Sequence, residues 1–207
     1  MQTKPLFITG IGTYVGKTIV SAVLCQQLKA DYWKPIQSGD LTCSDSDQIS
    51  RLISNPKTVI HPEAFRLHKA ASPHQSAKFE GLEIKPEDIV MPVTDNLLII
   101  EGAGGLFVPI SPSFMMVDLI KRFDAEVVLV TRNYLGCINH TLLSLHALAT
   151  MNIPVKQVIL NGYFHPDTRD VIIDQLPEST NWSHLPDIDM LTRSAIDTAP
   201  QQIMRFT

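Results

Sequence analysis

Three cysteines in 207 residues, Cys25, Cys43 and Cys137, are too few and too scattered for a disulfide framework. None stands in a Cys-x-x-Cys pair, which also removes the commonest thiol-redox and zinc patterns and suits a reducing compartment. The seven histidines show no His-Glu-x-x-His or comparable metal spacing. A basic excess is missing too: 17 Lys and Arg stand against 21 Asp and Glu, a net charge of −4. Nucleic-acid binding needs a basic stripe or a high isoelectric point, so no nucleic-acid partner is expected. No apolar run approaches the ~18 residues of a membrane span, so no membrane partner is expected. No charged-then-apolar leader precedes the first strand-like segment, and a cytoplasmic location is expected.

What is present is a phosphate-binding pattern. Gly10-Ile11-Gly12-Thr13-Tyr14-Val15-Gly16-Lys17-Thr18 follows an apolar segment, Pro5–Thr9, and opens a helix-like segment from Lys17 to about Lys29. Backbone N–H groups of such a loop, and of the helix start behind it, point at phosphate oxygens. Lys17 would reach the outer phosphates of a nucleoside triphosphate, and the Thr18 hydroxyl would ligate Mg²⁺. The strict spacing places the first glycine at position 11, which is Ile; Gly10 stands one residue further out.

Apolar runs of strand length alternate with segments of helical period. Strands are expected over Leu6–Thr9, Tyr32–Ile36, Leu97–Ile100, Glu126–Val130 and Val155–Leu160. Helices are expected over Lys17–Lys29, Ser46–Ile53, Met116–Phe123, Ile138–Met151 and near Thr168–Leu176. Continuous apolar strands between helices predict an α/β fold, a mainly parallel sheet covered on both faces. Ligands bind such sheets at the carboxyl ends of their strands. The polar motifs fall in that place: Gly10–Thr18, Lys34–Gly39, Glu101–Gly105, Arg132–Asn139 and Asn161. The stretch from Pro177 to Thr207 has scattered prolines and no strong periodicity.

Glu101 ends an apolar run and leads into Gly102-Ala103-Gly104-Gly105, the place for a second Mg²⁺-associated acid. Mg²⁺ prefers oxygen ligands, and Thr18, Glu101 and either Asp45 or Asp47 would supply them. The run Asp45-Ser46-Asp47 would by itself be read as capping a helix start. Leu135-Gly136-Cys137-Ile138-Asn139-His140 opens another helix, whose free N–H groups could hold a carboxylate or simply be capped.

Together these blocks resemble the dethiobiotin synthetase family. The carrying residues are Thr9-Gly10, Thr13–Thr18, Lys34-Pro35-Ile36-Gln37-Ser38-Gly39, Ser46-Asp47, Ser72-Pro73-His74, Ile100–Gly105, Leu135–His140 and Asn161, in the family's order over residues 5–165. The resemblance implies a P-loop NTPase-like three-layer sandwich and one ATP-dependent ligase domain over residues 1–207. It implies Mg²⁺ and ATP, with 7,8-diaminononanoate and CO₂ or bicarbonate as the other substrates. Lys17, Lys34 and Thr13 take catalytic positions. Gly12, Thr13, Tyr14, Val15, Gly16, Lys17, Thr18 and Asn161 take ATP-binding positions, Asn161 on the adenine. Thr13, Lys34, Ser38, Gly104, Gly136, Cys137 and Asn139 take substrate-binding positions. Thr18, Asp47 and Glu101 take the metal positions, Asp47 being preferred to Asp45 on its alignment with the family's Ser-Asp pair. The family implies a homodimer whose substrate site lies at the subunit interface. Tyr14 departs from the pattern, since many relatives are acidic there. A partition-type ATPase switch is the competing reading, but the extra early lysine of that class is missing from Ile11-Gly12-Thr13.

Overall fold

Leu6-Phe7-Ile8 carries no polar side chain, and a strand of that kind is stable only with both faces covered. The computed structural model, which describes residues 3–199, covers them so. In chain order the elements are β1 (Leu6–Gly10), α1 (Lys17–Leu28), β2 (Asp31–Trp33), β3 (Ile36–Ser38), α2 (Asp45–Leu52), β4 (Ile60–His61), β5 (Phe65–Leu67), α3 (Pro73–Phe79), β6 (Leu98–Gly105), β7 (Pro109–Ser111), β8 (Phe114–Met115), α4 (Met116–Arg122), β9 (Glu126–Arg132), α5 (Cys137–Thr150), β10 (Val155–Asn161), α6 (Pro166–Asp174), β11 (Asn181–Leu185) and α7 (Arg193–Thr198). Seven strands form one sheet in the order β11-β10-β9-β1-β6-β2-β4. All their pairings are parallel.

Period-two alternation sends neighbouring side chains of each strand into different cores. Phe7, Trp33, Ile100, Val127 and Leu129 face one core, shared with Leu119 of α4, Leu148 of α5 and Ile172 of α6. Leu6, Ile8, Tyr32, Ile99 and Val128 face the other, shared with Val20 and Leu24 of α1, Ile49 of α2 and Ile196 of α7. The sheet is thus the middle of three layers, the fold the alternation predicts. Burying each such Leu, Ile or Phe contributes roughly 1.5–3 kcal/mol.

Three boundaries differ from the sequence expectation. The strand expected over Tyr32–Ile36 is two strands: β2 stays in the main sheet, while β3 pairs with β5 in a small separate ladder. Pro35 lies between them, and its lack of an N–H ends the first ladder. Its carbonyl accepts from the N–H groups of Ala64 and Phe65, which draws the chain aside. β6 runs past Ile100 to Gly105, so Glu101 sits inside a strand, opposite Ile8. The stretch after Pro177 contains β11, paired with β10, and α7; its last residues, 200–207, lie outside the described residues. Among the described residues no helix is long and apolar enough to cross a membrane.

Leu24 is fully buried between α1 and the sheet. Leu24→Ala is expected to lower stability by about 2–5 kcal/mol, read as a reduced urea midpoint at unchanged slope.

Candidate active site

Gly16 precedes α1 with φ at +89°, in the left-handed region. A Cβ there would collide with the side-chain amide of Asn161. Glycine is therefore required twice over, by backbone conformation and by the close approach of β10. Asn161, 3 % exposed, donates from Nδ2 to the Val15 carbonyl at 2.8 Å and holds the loop from beneath. That bond commits one end of the amide expected to face adenine. Lys17 turns back over the loop, its Nζ 3.1 Å from the Gly12 carbonyl. Burial pushes its ammonium down to about pKa 8, the Glu101 charge opposing that shift and Lys34 adding to it.

Facing Lys17 across the same cleft stands a second buried lysine. Lys34 leaves the end of β2 and places Nζ 2.5 Å from Asp45 Oδ2 and 3.1 Å from Glu101 Oε1. The Thr18 hydroxyl lies 2.7 Å from Asp45 Oδ1 and 3.0 Å from Glu101 Oε1. Burial disfavours charge on Lys34, but Glu101 and Asp45 outweigh it and hold its pKa above the ordinary lysine value. Burial likewise works against Asp45, and Lys34 outweighs it, so this carboxyl stays below the usual carboxylate range.

Of the two aspartates, the structure brings Asp45 to Thr18 and engages Asp47 in capping α2. Asp47 stands at the third position of a capping box: Ser44 N–H and Ser44 Oγ each donate to its Oδ2 at 2.9 Å. Its carboxylate is spent on the helix start, and Asp45 instead meets Thr18 and Glu101. The pattern Ser44-x-x-Asp47 is a capping-box-like spacing, a signal in the sequence that Asp47 would serve the helix start.

Thr13, Gly16, Lys17, Thr18, Lys34, Ser38, Asp45, Glu101 and Gly104 line one cleft of about 620 Å³, with Tyr14 at 94 % exposure on its rim. Gly104, at φ +65°, has no room for a side chain: a Cβ would stand 2.7 Å from Val108 Cγ2 and 3.7 Å from Thr13 Oγ1. The Ser38 hydroxyl is buried and has no partner among the described residues. Gly12 and Val15 shape the loop without lining the cleft. Gly136, Cys137 and Asn139 are elsewhere, at the start of α5. Gly136 and Asn139 are exposed there, while Cys137 is buried in the core.

The donor set suits Mg²⁺, which takes one or two carboxylates and completes its shell with phosphate oxygens and water. Among the described residues no three His, Cys, Asp or Glu side chains gather as a metal cluster. Here two carboxylates and a hydroxyl converge, all hard oxygens, and the carboxylates already hold one cation, the Lys34 ammonium.

A family model described as an AAA domain matches residues 4–195. An ATP-dependent dethiobiotin synthetase BioD of Christiangramia forsetii is 48 % identical over 169 residues, 82 % of this chain and 81 % of that protein. The protein of the same name from Cytophaga hutchinsonii is 48 % identical over 171 residues, 82 % of each chain. Among solved structures, the septum site-determining protein MinD of Pyrococcus horikoshii, complexed with Mg-ADP, superposes with a TM-score of 0.54 at 15 % identity, covering 94 % of this chain and 85 % of that one. At that identity the likeness shows the P-loop NTPase fold.

Two outcomes follow from the geometry. Asp45→Asn is expected to weaken Mn²⁺·ADP binding by roughly ten- to a hundredfold in electron-paramagnetic titrations, whereas Asp47→Ala lowers the melting temperature and leaves that affinity in place. Loss of Mn²⁺ affinity in Asp47→Ala but not in Asp45→Asn would reverse the assignment, and equal losses would remove the distinction. Nucleotide phosphates raise the pKa of Lys17, so above about pH 8 binding takes up a proton. Calorimetry at pH 8.5 in buffers of different ionisation enthalpy is expected to show uptake of roughly half a proton or more, and none with Lys17→Arg, whose guanidinium is already charged.

Proposed function

Because the chain belongs to the ATP-dependent dethiobiotin synthetase family, we propose that it joins 7,8-diaminononanoate and CO₂, with ATP cleavage, into dethiobiotin, ADP and phosphate. One amine captures CO₂ as a carbamate. A carbamate oxygen attacks the γ-phosphorus and ADP leaves. The second amine attacks the carbonyl carbon of the resulting carbamic–phosphoric anhydride, closing the ureido ring and expelling phosphate.

The observation that carries this reading is Lys34. A phosphate loop alone explains Lys17; it does not explain a second ammonium, from another strand, held by two carboxylates over the same cleft. Two anions must meet in this reaction, a carbamate and a triphosphate. Cations on both sides of the meeting point offset their repulsion and stabilise charge on the transferring group. Lys17 takes the outer phosphates, and Lys34 faces the carbamate and the γ-phosphate. Bound Mg²⁺, held by Thr18, Asp45 and Glu101, supplies further charge neutralisation on the phosphates. Thr13, Ser38 and Gly104 take the diamine, and the unpartnered Ser38 hydroxyl supports that role. Asn161 lies under the base end of the nucleotide.

The carboxylate of the diamine is held by Gly136, Cys137 and Asn139 of a neighbouring subunit, at the start of α5. Leu135 and Leu143, both large, apolar and more than half exposed beside that helix start, support a homodimer there.

The test is mass-spectrometric detection of dethiobiotin from purified protein, diaminononanoate, bicarbonate, ATP and Mg²⁺. Product is expected from the wild type, with a loss of roughly a hundredfold or more in Lys34→Ala. No product, with ATP hydrolysis indifferent to the diamine, would transfer the reading to a partition-type switch.

A further inference from the structure

Glu101 is 1 % exposed, and both its oxygens are engaged. Oε1 receives the Thr18 hydroxyl at 3.0 Å and Lys34 Nζ at 3.1 Å. Oε2 receives the Tyr32 hydroxyl at 3.0 Å. Register explains the last contact. Tyr32 on β2 lies opposite Ile99 on β6, and Glu101 follows two residues later on the same face of its strand. The ring fills the α1-side core, and the hydroxyl emerges under the carboxylate.

Tyr32 is fully buried and does not line the cleft, so it touches neither nucleotide nor diamine. Phenylalanine would fill the same apolar space. A phenolic hydroxyl in such a place costs free energy unless it is bonded, and Glu101 is its partner. In this contact the phenol donates and the carboxylate oxygen accepts.

The three donors to Glu101 differ in permanence. Thr18 and Lys34 line the cleft, so their bonds to Oε1 are the ones that a metal and phosphates there would compete with. Tyr32 does not line the cleft, and its bond goes to the other oxygen, Oε2. We propose that Tyr32 is a positioning residue for the metal site: it fixes Oε2 of Glu101 and thereby presents Oε1 to the cation. The proposal rests on the reading of Glu101 as a metal-linked acid, and its test is independent of product formation.

The test compares wild type, Tyr32→Phe, Glu101→Gln and the double variant. Mn²⁺ binding to the ADP complex is read by electron paramagnetic resonance, and ADP affinity in EDTA by a fluorescent ADP analogue. Tyr32→Phe is expected to weaken Mn²⁺ by roughly tenfold, as second-layer partners of metal ligands do, with metal-free ADP affinity unchanged. In turnover assays the half-saturating Mg²⁺ concentration rises by a similar factor, while kcat at saturating Mg²⁺ stays within about threefold. In the Glu101→Gln background Tyr32→Phe is expected to add nothing, since it acts through that carboxylate. Three results would overturn the proposal: wild-type Mn²⁺ affinity in Tyr32→Phe, a loss that persists in the Glu101→Gln background, or a parallel loss of metal-free ADP binding. Failure of the wild type to make dethiobiotin would sink the assigned reaction and leave the Mn²⁺ comparison standing.

Discussion

Two carboxylates brought together away from water repel each other unless a cation stands between them, and here Lys34 is that cation. Asp45 comes from the first turn of α2, Glu101 from the middle of β6, Thr18 from the first turn of α1 and Lys34 from the end of β2. One electrostatic knot therefore fastens four elements at the carboxyl edge of the sheet. Removing a single member of a buried pair typically costs about 3–5 kcal/mol, because the other charge is left uncompensated. Much local geometry makes sense as service to this knot. Pro35 turns the chain aside directly after Lys34, and the Ser44–Asp47 box fixes the helix start that carries Asp45.

The two lysines of the cleft differ in how fully their charge is compensated, and the contrast bears on function. Lys34 has its countercharges within contact distance and stays firmly protonated. Lys17 is desolvated, and its hydrogen-bond partner is the neutral Gly12 carbonyl. Its charge is under-compensated until an anion arrives. One cation organises the protein, and the other is left with something to gain from phosphate.

Much of this was written plainly in the chain. The P-loop was legible because a glycine-rich run ending in Gly16-Lys17-Thr18 joins an apolar strand to a helix. Glu101 was legible because an acid terminating Leu97–Ile100 is out of place in a core. Asp45 was harder. Two aspartates two residues apart look alike in composition, and only the spacing from Ser44 distinguishes the capping one. Tyr32 was invisible as a site neighbour: β2 is three residues long, too short for alternation to reveal which face a residue takes. β11 was missed because its residues are mostly exposed at the edge of the sheet, leaving no buried pattern to read. Gly136 and Asn139 illustrate another limit, since what an exposed helix start touches is not decided within one chain.

The sheet order also carries a kinetic meaning. β1 is central, flanked by β6 and β9, and Leu6 finds its partners at Ile99 and Glu126. The strand that leads into the phosphate loop is thus made well before both of the strands it pairs with. It must wait for roughly ninety more residues before either neighbour exists. Until then Leu6-Phe7-Ile8 is an unpaired apolar segment, of the kind that chaperones hold and that aggregates recruit. The interval between the making of β1 and of β6 is consequently a vulnerable one, and the nucleotide site closes only once Glu101 of β6 reaches Thr18, well after the signature motif.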